Sequence, residues 1–379
     1  MENELLKKQS GIYNNQENKQ ATNVEFERNL GIDLLRILSM FFIIILHCLG
    51  QGGILNNAEI NSIQYKFAWF IEICAYCAVN IFALISGYVS YTENEKKVKY
   101  SNYINMWLQI VFYGVIVTLI FDIINPSLVS KKDYFIIFCP IANNLYWYFT
   151  AYTGLFFLIP FLNNGIRNCS ISTLKRLFII ILMMFSIIDT LTNNFILNNG
   201  YSFIWITLLY ILGAIIKKCN IGKSLRKRQF IFYLLFLIFI TYLFKIYSSN
   251  IPINLVSYTS PTILLIAILY IVYFSKLKFN DFTKKIIKFA APSAFTVYIL
   301  NNHRLVWKHI MTDLFINISN SSILNIFIFT VGFSSLFVIG SILIDKIRIL
   351  LFEKIHIKDF INKIGVFLDL LLNKLENLI

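Results

Sequence analysis

Arg36 and His47 are the residues of this chain best placed to do chemistry. They lie eleven residues apart in one apolar run, which reads GIDLLRILSMFFIIILH from Gly31 onward. At about 100° per residue, eleven steps bring both side chains to the same face of a helix. Asp33 lies near that face, three residues before Arg36, a spacing that suits an ion pair. An imidazole can act as a general base, and a guanidinium can bind a carboxylate or a phosphate.

The helix that must position these residues is long and apolar enough to cross a bilayer. Ionisable side chains inside a membrane are costly, so they usually face other helices and serve a function. Plainer roles remain open for both residues. His47 also fits a histidine that packs helices, and Arg36, one turn into the membrane, can extend its guanidinium to water.

A second apolar run, from Phe70 to Tyr88, carries a polar stripe. Glu72, Asn80 and Ser86 fall on one side of a helix at about 100° per residue. Such side chains can support a site, but they also pack membrane helices, and Glu72 near the outer end fits a solvated position as well.

His303 lies in a later apolar run, about thirteen residues from its start, and we expect it at a depth similar to that of His47. Its neighbours Asn301, Asn302 and Arg304 fit the outer membrane interface equally well. A supporting role in a site and a place at the interface both remain open for His303.

The composition is that of an integral membrane protein. Of 379 residues, 57% are hydrophobic and 14% charged, and the mean hydropathy is +0.66, which is rare for a soluble domain. With 36 Phe but only 15 Gly and 6 Pro, long helices are favoured over a β-barrel. We predict an all-α bundle of about ten transmembrane helices, at roughly 32–50, 67–90, 103–124, 144–162, 174–190, 201–216, 229–247, 254–274, 290–309 and 321–344.

The positive charges indicate the topology. Most of the 34 Lys and Arg residues fall in the N-terminal tail, the even-numbered loops and the C-terminal tail, and the other loops hold only Lys66, Lys131 and Lys132. The positive-inside rule then places both termini in the cytoplasm, and the net charge of +14 needs no nucleic acid partner. We predict a disordered cytoplasmic tail over 1–27, a polytopic membrane domain over 28–345 and an amphipathic cytoplasmic segment over 346–379.

Several common catalytic motifs are missing from the sequence. No HExxH, Walker A, GxGxxG or GxSxG motif occurs, and the CxxC of Cys74 and Cys77 has no second pair, so we interpret it as packing. The sequence predicts neither a metal site nor a bound prosthetic group. If the protein is an enzyme, its donor is a diffusible molecule.

Four segments together resemble a known family. They are GIDLLRILSMFFIIILH ending at His47, VNIFALISGYV over 79–89, NLYWYFTAYTGLFFLIPFLN over 144–163 and SAFTVYILNNHRLVW over 293–307. In this order they resemble the acyltransferase-3 family of integral membrane O-acyltransferases. The combination is similar to the bacterial subgroup that O-acetylates cell-surface polysaccharides.

The resemblance implies a multi-pass protein of the bacterial plasma membrane. Its expected reaction moves an acetyl group from cytoplasmic acetyl-CoA to a sugar hydroxyl of a surface polysaccharide or its lipid-linked precursor. The resemblance also implies that the residue matching His47 is catalytic and that the arginine matching Arg36 is essential. We assign His47 as general base and Arg36 to donor binding and ordering of the site, with Asp33, Glu72, Asn80, Ser86 and His303 as supporting residues.

Two departures from the family pattern affect these assignments. Many relatives carry an Arg-rich pair after the ISGY block, whereas this chain has Lys96, Lys97 and Lys99, which we expect to bind donor phosphates. Relatives often show Ile-His after the VY of the last block, whereas this chain has Leu300 and Asn301, which weakens the case for His303.

A polysaccharide flippase or transporter and a glycan polymerase are the alternative functions. A flippase usually has more spans, often as repeats, and a large cationic cavity. A polymerase would be expected to carry a substantial outer loop, and the longest outer loops predicted here, near 51–66 and 125–143, are short.

Overall fold

The computed structural model describes residues 28–95, 99–248, 251 and 253–376, and over these residues all regular structure is helical. The α-helices are α1 Leu30–Leu49, α2 Ile54–Asn57, α3 Ile63–Ala75, α4 Ala78–Ser90, α5 Tyr100–Ile124, α6 Lys131–Phe138, α7 Trp147–Asn168, α8 Ile171–Ile180, α9 Asp189–Thr192, α10 Phe203–Lys218, α11 Lys227–Tyr247, α12 Pro261–Phe274, α13 Asp281–Ala290, α14 Ala294–Asn301, α15 Arg304–Val306, α16 Ile323–Lys354 and α17 Ile357–Glu376. A π-helical stretch, Ile181–Ile188, joins α8 to α9, and another, Trp307–Met311, follows α15.

Six helical segments within the described residues are long and apolar enough to cross a membrane. They are Leu30–Asn57, Ile63–Ser90, Tyr100–Ile124, Ile171–Thr192, Lys227–Tyr247 and Ile323–Lys354, and α12 is a shorter apolar helix. The predicted all-α, multi-pass membrane class is therefore confirmed. The count of ten spans, the cytoplasmic placement of the termini and the domain limits stay predictions, and the predicted tail over 1–27 lies outside the described residues.

Three of the predicted spans differ from the helices in the structure. The helix expected over 67–90 is divided between α3 and α4 at Tyr76 and Cys77. The span expected from 254 begins as a helix only at Pro261, because the Ser260 side chain caps the N–H of Ile263 and proline suits the first helical position. The third is the span predicted over 290–309, which the structure interrupts at His303, whose ring accepts from the N–H of Leu305.

Close backbone contacts fix the central helices. A Cβ on Gly87 of α4 would come within 1.8 Å of the carbonyl oxygen of Tyr210 on α10, and one on Gly213 of α10 within 2.0 Å of that of Leu84. Small residues allow membrane helices to approach this closely. The pair α4 and α10 therefore forms the centre of the bundle, and α1 packs against α4 and α16.

The bundle has two ends, which we name after residues of α1. At the His47 end, the segments that follow α1 and α15 are joined: the N–H of Phe315 donates to Gly52 O at 2.8 Å, and Asn320 Nδ2 donates to Asn57 O at 3.0 Å. These bonds close the loops over the end of α1 where His47 lies.

At the Arg36 end, different chain segments meet at the start of α1. The Asn29 side chain caps α1 by accepting from the N–H of Ile32 at 3.1 Å and donates to Ser275 O at 2.8 Å. Gly31 lies against the carbonyl of Phe274, where a Cβ would come within 1.8 Å of the oxygen. The start of α1 is therefore held by the end of α12.

Candidate functional site

Helix α1 carries both principal candidate residues, Arg36 in its second turn and His47 in its last turn. With a rise of about 1.5 Å per residue, the eleven steps between them correspond to about 16 Å along the axis. The two side chains therefore lie near opposite ends of one helix. A substrate that contacts both must extend along it.

The His47 ring is held by two residues that lie far away in the sequence. His47 Nδ1 forms a short hydrogen bond with Oδ1 of Asn301, the last residue of α14. Trp307 meets the ring edge-on, with centroids 4.7 Å apart. Asn301 is fully buried, and its Nδ2 has no hydrogen-bond partner among the described residues. The imidazole is thus fixed in orientation on one side.

A cavity of about 820 Å³ opens beside His47. Met40, Ile43 and Leu46 of α1 line it together with His47, so one face of α1 forms a wall. Aromatic rings supply most of the remaining wall: Tyr76, Phe82, Tyr146, Trp147, Tyr148, Tyr201, Tyr258, Phe295, Tyr298 and Trp307. The cavity lies within the range of about 300–1,000 Å³ that is typical of ligand pockets.

Glu72 is the acidic residue of this cavity. It lies on α3, is only 7% exposed, and its Oε2 has no hydrogen-bond partner among the described residues. The structure therefore brings His47 and Glu72 to one cavity from two helices. Buried polar atoms in folded proteins are nearly always paired, so a free one that lines a cavity marks a place for a ligand or water.

Cationic side chains line the same cavity at the His47 end: Lys132, Arg304 and Lys308. Arg304 Nη1 donates to Asp133 Oδ1 at 2.8 Å. Burial opposes ionisation of Asp133, but hydrogen bonds from Ser130 and the charge of Arg304 outweigh it and lower the pKa of Asp133 below its usual value. Arg304 is thereby neutralised in part, whereas Lys132 and Lys308 have no carboxylate within 4.0 Å among the described residues.

Arg36 lies outside the cavity, in an ion-pair cluster at the other end of α1. Its Nη1 donates to Asp33 Oδ1 at 3.1 Å, and Arg28 binds the other oxygen of the same carboxylate. The Arg36 side chain keeps 26% of its surface exposed. Met40, which lines the cavity, lies four residues after Arg36 and so about one helical turn away.

The predicted lysines of the donor site are described only in part. Lys99 is exposed and precedes the first residue of α5. Lys96 and Lys97 lie outside the described residues. The assignment of all three to donor phosphates stays a prediction.

The other supporting residues do not line the cavity. The Asn80 amide bonds the backbone of Tyr258 and the indole of Trp205. Ser86 donates to Phe82 O at 3.2 Å within its own helix. His303 is buried, caps the N–H of Leu305 and lies 3.5 Å from Thr118 Oγ1. Asn80 therefore acts on the cavity through Tyr258, whereas Ser86 bonds its own helix and His303 contacts the start of α15 and Thr118 of α5.

Sequence reasoning missed Asn301 as the partner of His47. Asn301 entered the sequence analysis only together with Leu300, as a departure from the family pattern that weakened the case for His303. It also missed the cavity's aromatic wall, because Tyr201 and Tyr258 lie in segments between helices. Among the residues that the structure describes, no group of His, Cys, Asp and Glu could hold a metal ion.

Comparison with known families gives one match. The acyltransferase-3 model, described as an acyltransferase domain, matches residues 29–346. Searches of characterised proteins and of solved structures gave no match. The matched range covers most of the chain and includes both α1 and the cavity. The chain therefore belongs to the acyltransferase-3 family and is a membrane O-acyltransferase.

Proposed function

We propose that this protein transfers an acetyl group from cytoplasmic acetyl-CoA to a sugar hydroxyl of a bacterial surface polysaccharide or its lipid-linked precursor. One observation carries the proposal. The His47 ring is held by Asn301 at the wall of an aromatic cavity that reaches Met40, one turn from Arg36. In this proposal His47 is the base, the cavity binds the acceptor and Arg36 binds the donor, and all three lie along α1.

The bond to Asn301 favours one tautomer of the neutral His47 ring. An amide oxygen only accepts, so with Oδ1 facing the ring the proton lies on Nδ1. In the neutral ring Nε2 then carries the lone pair, which is the form that a general base requires. This assignment places the acceptor hydroxyl at Nε2 of His47.

The reaction follows from that placement. His47 Nε2 takes the proton of the sugar hydroxyl as the oxygen attacks the thioester carbonyl carbon, and the carbonyl becomes a tetrahedral oxyanion. When the oxyanion collapses, the C–S bond breaks and the CoA thiolate leaves. The imidazolium returns its proton to the sulfur. The products are the sugar acetate and CoA with a free thiol, and His47 is neutral again.

Arg36 suits the donor half of the reaction. A guanidinium can form two parallel hydrogen bonds with a phosphate, and Arg36 uses Nη1 on Asp33 while keeping part of its surface exposed. Acetyl-CoA is anionic, and its pantetheine arm is long. With Arg36 at the phosphates, the arm would run along α1 past Met40 towards His47.

The cavity beside His47, where the acceptor would bind, suits a carbohydrate. Aromatic faces pack against the C–H faces of sugars, and the polar edges of Tyr and Trp can bond hydroxyl groups. The cavity wall has ten aromatic rings. Exposed residues that line it include Lys132, Asn143 and Lys308, which agrees with an acceptor that enters from the His47 end.

The test compares His47→Ala with His309→Ala. His309 is exposed and does not line the cavity, so it is a matched control. Loss of a general base lowers the rate by about 10²–10⁴-fold. We expect full-length glycan without O-acetyl signals in proton NMR from cells with His47→Ala, and normal acetylation with His309→Ala.

Two other outcomes would contradict the proposal. Normal acetylation with His47→Ala at normal protein level would show that His47 is not the base. Missing or truncated glycan would instead favour the flippase or polymerase alternatives.

A further inference from the structure

Glu72 lies in the apolar interior without a partner for its Oε2 among the described residues. The charge of Lys245 acts on Glu72, but its ammonium lies over the Trp69 ring, 4.0 Å from the centroid. No Lys or Arg of the described chain comes within 4.0 Å of the Glu72 carboxylate. A buried acceptor of this kind costs free energy unless a donor reaches it.

Four aromatic rings form a continuous wall in the same cavity. The ring centroids are 4.9 Å apart for Tyr76 and Tyr258, 5.1 Å for Tyr258 and Tyr201, and 4.8 Å for Tyr201 and Trp147. All four line the cavity with Glu72. We name Glu72 and these four rings the Glu72 subsite.

Residues outside the cavity hold Tyr258 of the Glu72 subsite in place. Asn80 Nδ2 donates to Tyr258 O at 2.7 Å, and Trp205 Nε1 donates to Asn80 Oδ1 at 3.0 Å. Gly200 has φ +95, and a Cβ there would come within 2.4 Å of the Tyr258 Cβ, so glycine is required by conformation and by space. Tyr258 is therefore a positioned ring and not a surface side chain.

We propose that the Glu72 subsite binds a sugar ring of the acceptor, with sugar hydroxyls donating to the Glu72 carboxylate and the ring faces packed against the tyrosines. A carboxylate accepts several hydroxyl protons, and charge-assisted bonds of this type are strong. The proposal rests on the proposed acyl transfer and deepens it, because it assigns Glu72 to acceptor binding and leaves the proton transfer to His47.

An organic cation is the competing occupant, since aromatic faces and a carboxylate also suit an ammonium group. The charges of the cavity disfavour it. Lys132, Arg304 and Lys308 line the same cavity, and Lys245 already acts on Glu72. These positive groups repel a cation in the cavity, whereas they do not repel a neutral sugar ring.

The test measures binding without the donor. Oligosaccharides from the de-O-acetylated surface glycan of the cells that carry the protein are titrated by calorimetry into the full chain in lipid nanodiscs. Loss of a hydrogen bond to a charged group corresponds to about ten- to a hundredfold in affinity. We expect Glu72→Gln to weaken binding by that factor, with the loss in transfer appearing in the acceptor KM.

The matched control is Glu59→Gln. Glu59 lies at the same end of the bundle, is exposed and does not line the cavity, so binding should change less than twofold. Tyr258→Leu removes the ring and should weaken binding, whereas Tyr258→Phe keeps the ring face and should retain most of it. Size-exclusion profiles and melting curves identify any variant that fails to fold. If Glu72→Gln fails to fold, the comparison of Tyr258→Leu with Tyr258→Phe decides whether the subsite binds the sugar.

Three outcomes separate the possibilities. Unchanged oligosaccharide binding by Glu72→Gln overturns the subsite. If tetramethylammonium competes with the oligosaccharide for binding, the subsite binds a cation and the proposal of a sugar is overturned. If His47→Ala keeps transfer while Glu72→Gln loses binding, the proposed mechanism at His47 fails and the subsite stands.

Discussion

The two ends of α1 carry similar residue types in opposite arrangements. At the Arg36 end, Asp33 is bonded by Arg28 and Arg36. A second buried carboxylate, Asp345 of α16, does not line the cavity and has hydrogen bonds to both of its oxygens. At the His47 end, Glu72 Oε2 has no partner among the described residues and His47 faces a cavity. The Asp33 carboxylate is thus bonded on both oxygens by cations, whereas the Glu72 carboxylate lines the cavity with one oxygen unpaired among the described residues.

This difference separates structural ionisable groups from ligand-binding ones. A satisfied buried network fixes the helices that contribute to it, and losing one member is costly. An unsatisfied polar atom in a cavity adds no stability by itself. We therefore expect substitutions among the paired charges to change stability and substitutions around the cavity to change activity.

The largest stability effect is expected at Asp345. It is fully buried, and Oδ1 accepts from Tyr113 at 2.8 Å, Thr296 at 2.7 Å and Arg348 at 2.7 Å. Asp345→Asn leaves Arg348 buried without its counter-charge, which costs about 3–5 kcal/mol. Denaturation of the purified protein should show this loss in the free energy of unfolding, with substrate KM values unchanged below the transition.

Asp281→Asn is the control for this prediction. Asp281 is 90% exposed and pairs with Lys284 at 2.9 Å, and exposed pairs of this kind contribute about 0.2–1 kcal/mol. If Asp345→Asn is no more destabilising than Asp281→Asn, buried paired charges are not structural here, and the contrast between paired charges and the unpaired Glu72 fails.

A smaller effect, on activity, is expected at Asn301. Asn301→Leu has a similar volume but cannot accept from His47 Nδ1, so the ring loses its fixed orientation. We expect kcat to fall by about ten- to a hundredfold, by analogy with other groups that orient a ligating or catalytic histidine, while acceptor and donor KM stay constant. Asn301→Asp should restore most of the rate, because a carboxylate also accepts from Nδ1.

Asn301 is a positioning residue, so the comparison of its two variants decides its role. Equal loss in Asn301→Leu and Asn301→Asp would show that packing at the end of α14 matters and the hydrogen bond does not. A rise in KM without a change in kcat would place Asn301 in substrate binding. Either result would remove the argument for a neutral His47 with its proton on Nδ1.

The sequence predicts the helices of this fold better than their interruptions. Apolar length and the scarcity of glycine and proline identify α1, α5 and α16, since those features act locally. The break at Tyr76 and Cys77 has no such local signal, because neither glycine nor proline stands there. Such a break depends on the packing of neighbouring helices.

The candidate site shows the same division. The shared face of Arg36 and His47 follows from helical periodicity within one segment. The bond from His47 to Asn301 joins residues 254 apart in the sequence, and the contact from Asn80 to Tyr258 joins residues 178 apart. These partners depend on how the helices assemble, and periodicity within a single segment holds no information about that.

The smallest effect in this series is expected at Arg36, and it tests whether the Arg36 end is entirely structural. Arg36→Lys keeps a positive charge beside Asp33, so the ion pair and the stability should survive. Lysine lacks the planar fork that binds a phosphate with two parallel bonds. We expect about a tenfold weaker affinity for acetyl-CoA, measured by equilibrium binding and by the donor KM in purified protein.

Arg28→Lys is the matched control, because Arg28 binds the same carboxylate from a side chain that is 48% exposed. Lys99 is an exposed single charge at the start of α5. Lys99→Ala should also change the affinity for acetyl-CoA only mildly, since attraction of one lysine to phosphates is partly non-specific. If Arg36→Lys binds acetyl-CoA as tightly as Arg28→Lys does, Arg36 only completes the ion-pair cluster. Other residues would then have to bind the donor. The Arg36 end of α1 would serve only to hold the helices together, and the whole active site would lie at the His47 end.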